Sequence, residues 1–174
     1  MKAAHSPRGR SVHRPLVVVE MIRVSIRNPS NAGRLYPRLV NMGKDRWLVV
    51  ESRIPRAAPY GLDIDATVAC DIDADRVLMN VDLQAGMRRW HVAPLYQRPP
   101  IKQYADLGFT EATLRQGSFP IPVSIRTDAE RSYALVTWGS ATGELEAVGL
   151  SEHCLALVSK DILRGFYIDV PTLR

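Results

Sequence analysis

The chain has 174 residues, enough for one domain of ordinary size or two small ones, and its 46% apolar and 24% charged content supports a core beneath a charged surface rather than disorder throughout. Its apolar runs, such as residues 16–19, fall far short of the roughly 20 residues that a membrane helix needs, so no membrane insertion is expected. The net charge of +5 is concentrated at the start: residues 1–14 hold Lys2, Arg8, Arg10 and Arg14 without an acid, leaving +1 for the rest.

That 1–14 stretch lacks aromatic residues and apolar periodicity and reads as a disordered basic tail. No signal-peptide pattern follows it, and the two cysteines, Cys70 and Cys154, are far apart, which predicts a reduced, cytoplasmic setting. Farther on, charge alternates in blocks: residues 23–56 are basic, 63–82 acidic and 88–102 basic again, a field suited to docking a partner.

A first β-barrel-like domain is expected over residues 15–98. Ile22, Val24 and Ile26 alternate with Arg23, Ser25 and Arg27, the period of a half-buried strand. Turn formers at 28–33 precede an extended pattern over 35–42, and Gly43-Lys44-Asp45 separates it from Trp47-Leu48-Val49-Val50, which predicts a hairpin. Strands over 67–70 and 77–81 flank an acidic turn at 71–75, and a further strand is predicted over 90–96.

Residues 99–118 read as a linker with a short helix. Pro99 and Pro100 stiffen its start, while Thr110, the helix formers that follow and Gly117 give a start signal and a stop. A second β-rich domain is expected over 119–174, with strands at 119–126, 132–138 and 145–150 and a turn at 139–143. Over 151–165 the spacing of Leu155, Val158 and Ile162 fits a helix, and 155–158 fits a strand equally well. The predicted fold class is therefore mostly β, a β-barrel or split barrels with one or two short helices.

Chemistry-bearing residues are sparse. Asp71, Asp73, Asp75 and Asp82 occupy positions 1, 3, 5 and 12 of a calcium-loop template, but Arg76 stands where its turn needs Gly, so a charged hairpin tip is preferred. Glu152, His153 and Cys154 are adjacent, which does not make a catalytic dyad, and Cys154 is read as a small buried hydrophobe. His91 is read as structural. Arg34 and Arg38 are spaced to grip phosphate, a pattern that a basic strand face also produces.

Two stretches carry a family resemblance. Residues 35–50, with Trp90-His91-Val92-Ala93-Pro94 and Gln97-Arg98, resemble the N-terminal split barrel of flagellar-brake proteins. Gly149-Leu150-Ser151-Glu152-His153-Cys154-Leu155-Ala156-Leu157, with Ile162-Leu163-Arg164-Gly165, is similar to the Asp-x-Ser-x-x-Gly segment of PilZ domains. Ser151 matches that motif, whereas Gly149 stands in place of its Asp and Cys154 in place of its Gly. The family's paired arginines precede its second barrel, where this chain has Arg98 and Arg115, too far apart to form the pair. The resemblance implies cyclic di-GMP as a ligand, and its departures imply a degenerate member that acts through protein contacts.

The function predicted is a non-enzymatic adaptor or regulatory binding protein with a protein partner. The alternative is a nucleic-acid-binding module, with the 1–14 arm and Arg-rich strands on phosphate and Tyr36, Trp47 or Tyr60 on bases. A third reading is a metal-dependent hydrolase built on the 63–82 acids. Arg34, Arg38, Arg98, Arg115 and Ser151 are the candidate ligand- or phosphate-binding residues, with no catalytic residue, metal ligand or cofactor assigned.

Overall fold

A computed structural model of the chain describes residues 21–30, 34–139 and 144–172. The predicted basic tail, the 16–19 run and most of the 139–143 turn lie outside the described residues. The chain is mostly β, as its patterning predicts. In order come β1 (Val24–Arg27), β2 (Leu35–Met42), β3 (Asp45–Ser52), β4 (Tyr60–Ile64), β5 (Val68–Ile72), β6 (Leu78–Leu83) and β7 (His91–Val92). Then follow β8 (Ile101–Tyr104), β9 (Asp106–Phe109), α1 (Glu111–Gln116), β10 (Ser118–Phe119), β11 (Val123–Thr127), β12 (Tyr133–Trp138), β13 (Glu146–Gly149), β14 (Cys154–Ser159) and β15 (Ile162–Asp169). No helix among them is long and apolar enough to cross a membrane.

Local chemistry accounts for several of these elements. Residues 42 and 45 face each other across β2 and β3, and Gly43, with φ 64°, supplies the positive φ that tight hairpin turns need at their first central residue. The predicted helix is present: Thr110 Oγ1 accepts the Thr113 N–H at 3.3 Å, and Gly117 ends the helix in the left-handed region with φ 68°.

The 151–165 ambiguity resolves to the β14–β15 hairpin. Five of the six residues of β14 are buried, so both faces are apolar and the alternation that marks a half-exposed strand is hidden. The strand expected over 90–96 is shorter, ending at Val92. The ladder stops where its partner β11 ends, the Ala93 N–H making the last contact with the Thr127 carbonyl at 2.9 Å, and Trp90 turns inward, donating from Nε1 to the Ala85 carbonyl at 2.9 Å. The 99–118 segment carries β8 and β9 in addition to its helix.

The strands form a six-stranded sheet, β10-β4-β5-β6-β3-β2, a seven-stranded sheet, β7-β11-β12-β15-β14-β13-β8, and a β1–β9 ribbon. The chain crosses between the large sheets. β7, from the first half, pairs in parallel with β11, and β10, after the helix, pairs in parallel with β4. One continuous core joins Leu48, Val50, Ile64 and Val81 from the six-stranded sheet to Val136, Ala156, Phe166 and Ile168 from the seven-stranded one.

Strand alternation divides β12 between two environments. Ala134, Val136 and Trp138 enter that main core, whereas Tyr133 and Leu135 join Leu155, Leu157 and Tyr167 in a smaller cluster on the other face. The segment after β7 crosses that outer cluster. The Tyr96 N–H donates to the Tyr133 hydroxyl at 3.0 Å, and the Tyr96 ring lies 6.4 Å from that of Tyr167.

Candidate functional site

Where β2 begins, two backbone contacts gather distant parts of the chain. The Leu35 N–H donates to the Leu150 carbonyl at 3.3 Å, and the Ala105 N–H to the Gly149 carbonyl at 3.0 Å. The turn after β13 is closed by the Leu150 and Ser151 N–H groups, which both donate to the Cys154 carbonyl, at 2.9 and 3.1 Å. Between these segments lies a cleft of about 310 Å³, the lower end of the size range of small-ligand sites.

Arg34 and Ser151 both line this cleft, with Tyr36, Tyr104, Asp106 and Glu152. Ser151 is 3% exposed and its Oγ accepts the His153 N–H at 3.2 Å. Asp106 is buried, its Oδ2 accepting from the Ser30 N–H at 3.1 Å and the Ser30 hydroxyl at 2.8 Å. Tyr104 is half exposed. A Cβ on Gly149 would stand 2.7 Å from the Tyr104 ring, so the tyrosine occupies the space that the aspartate of an Asp-x-Ser-x-x-Gly segment would enter.

Arg98 reaches the same turn from outside the cleft. It donates to the Glu152 carbonyl, pairs with Asp169 at 3.3 Å and lies 5.9 Å from the Tyr167 ring centroid. Burial and then Asp169 push the Tyr167 phenol up to about 12. Asp169 also meets His153 Nδ1 at 3.3 Å, so the His153 ring is engaged there while Cys154 is fully buried at the start of β14. Burial pushes the Cys154 thiol far up, and the Cys70 thiol likewise, the reverse of what a thiolate nucleophile needs.

Arg38 and Arg115 lie elsewhere. Arg38 holds Glu51 through two parallel contacts at 2.5 and 3.1 Å, beside a shallow groove also lined by Arg53 and Arg56. Arg115 pairs with Glu111 one helical turn away on the exposed face of α1. Other basic residues of the 23–56 stretch are engaged within the chain as well: Arg23 pairs with Asp161, Arg27 donates to the Asp75 carbonyl, and Arg56 meets Asp73 at 2.9 Å.

The four acids of the calcium template are divided. Asp73 turns inward at 3% exposure and its Oδ1 accepts the Val77 N–H at 2.9 Å, making it a turn-forming residue rather than a surface charge. Asp71 and Asp82 face outward and both accept from the Asn80 amide, at 3.2 and 3.3 Å. Burial raises the Asp82 carboxyl above its usual range, against the Asn80 hydrogen bond, which lowers it. Among the described residues no group of three His, Cys, Asp or Glu side chains is placed to hold a metal ion.

Tyr104 and Asp106 are cleft residues that the sequence reading did not single out. The available signal was the lone acid in the apolar run Ala105-Asp106-Leu107-Gly108-Phe109. No protein-family model matches the chain, and no curated protein matches it in sequence.

Proposed function

We propose that this chain is a non-enzymatic regulatory binding protein, an adaptor that engages a protein partner at the cleft around Arg34, Tyr104 and Ser151. The observation that carries the reading is the convergence of Arg34 and Ser151 on one cleft walled by both halves of the chain. Arg34 brings a cation with no ion pair among the described residues, and Tyr36 and Tyr104 bring amphipathic rings of the kind enriched at interfaces. The polar groups below them already hold the loops: Ser151 Oγ takes the His153 N–H and Asp106 takes Ser30.

Within the PilZ resemblance, this is a degenerate member whose motif position 149 is closed by a tyrosine ring. Titration of the full chain with cyclic di-GMP separates the two branches. The adaptor reading expects no saturable heat. Saturable binding that disappears in Ser151→Ala and Arg98→Ala would replace it with a nucleotide sensor. For the nucleic-acid alternative, Arg23, Arg38 and Arg56 are already paired with acids of the chain itself, which leaves that reading to the other cations of the 23–56 stretch and the 1–14 arm.

A further inference from the structure

A second site lies on the outer face of the seven-stranded sheet and shares no lining residue with the cleft. It originates in the ladder. Across β12, β15 and β14, Thr137 pairs with Gly165 and Gly165 with Leu157, so the middle strand brings no side chain to that row. The neighbouring row, Leu135, Tyr167 and Leu155, is full. Nothing can fill the gap from within, because a Cβ on Gly165 would stand 2.0 Å from the Val136 carbonyl oxygen.

The result is a depression of about 270 Å³. Leu135 and Leu157, each only 2% exposed, form its apolar floor beside Thr137, and half-buried Leu145, Tyr96, exposed Arg126 and half-buried Arg164 stand around it. No acid lines it among the described residues. Neither Arg126 nor Arg164 makes an ion pair among those residues, whereas Arg23, Arg38, Arg56, Arg98 and Arg115 all do.

Two unpaired guanidinium groups beside buried leucines match one kind of ligand, a carboxylate carried on an aliphatic chain. A peptide strand is a poor match, because β12, β15 and β14 are interior strands whose backbone groups are paired within the sheet. We propose that this depression binds a medium-chain fatty carboxylate, with its chain against Leu135 and Leu157 and its carboxylate between Arg126 and Arg164.

Isothermal titration of the full chain with hexanoate, octanoate and decanoate tests this, with octanol as the uncharged control. One saturable site is expected, with affinity rising about fourfold for each methylene buried. Arg126→Gln and Arg164→Gln, both at solvent-reaching positions, should each weaken octanoate about tenfold or more while leaving octanol unchanged. The proposal is overturned if octanoate and decanoate show no saturable binding, if both variants bind octanoate as the parent does, or if octanol binds as tightly as octanoate. Tighter binding of a short acidic peptide ending in leucine would also overturn it, assigning the depression to a protein segment.

Discussion

Phe119 is the residue through which the second half of the chain enters the first sheet, and replacing it by alanine tests whether the two halves share one core. The ring is fully buried in the main cluster, and its backbone is pinned where the Asp65 and Ile121 N–H groups donate to the Phe119 carbonyl, at 3.0 and 2.8 Å. With the strand anchored, the space cannot close, so Phe119→Ala loses the transfer energy of the ring and leaves a cavity, together costing about 3–5 kcal/mol. For a urea slope of about 2 kcal/mol per molar, the midpoint should fall by about 2 M. Emission from Trp90 and from Trp138, each isolated by replacing the other tryptophans with phenylalanine, should report one transition before and after the change. A loss below about 1 kcal/mol, or separate midpoints for the two probes, would refute the shared core.

Other consequences follow from single contacts. Burial pushes the Asp128 carboxyl up, but hydrogen bonds from Ser132 and Thr127 outweigh it and hold the group below its usual range. Its stabilising effect is therefore present above the unfolded-state value of about 4 and lost as pH falls through the lower folded value, so the deficit of Asp128→Ala, about 1–3 kcal/mol at pH 7, should shrink in acid urea titrations. Cys70 and Cys154, whose thiols burial pushes up, favour folding below the unfolded cysteine value of about 8.5 and cost stability as pH rises beyond it. Both should resist a thiol reagent until urea unfolds the chain. Gly149→Asp should cost about 1–3 kcal/mol by crowding the Tyr104 ring, and Tyr104→Ala should recover most of that loss in thermal melts of the double variant.

Strands such as β1 were legible where apolar and polar residues alternate, whereas β8, solvent-facing but without that alternation, reads as linker. Ile22 and Val24 are buried and Ile26 is the point where that row reaches solvent, as alternation with Arg23, Ser25 and Arg27 implies. The capped helix was legible because Thr110 and Gly117 act through local backbone geometry alone. β14 was not, because burial on both faces removes the period that distinguishes strand from helix. The cleft was legible only in fragments. Arg34 and Ser151 stood out as residue types, but their meeting depends on the Leu35–Leu150 backbone contact, a pairing distant in sequence. The depression beside Arg126 depends on a glycine falling in one row of a three-strand ladder, which only the register reveals.

The central claim, a partner seated in the cleft, is tested most directly by placing a photo-crosslinking phenylalanine analogue at Tyr104 in the full chain and irradiating it in native lysate. The account predicts one dominant protein adduct, lost when Arg34→Glu is added and retained with Arg115→Glu, since Arg115 sits on α1 outside the cleft. No adduct, or an adduct that Arg34→Glu leaves unchanged, would contradict it.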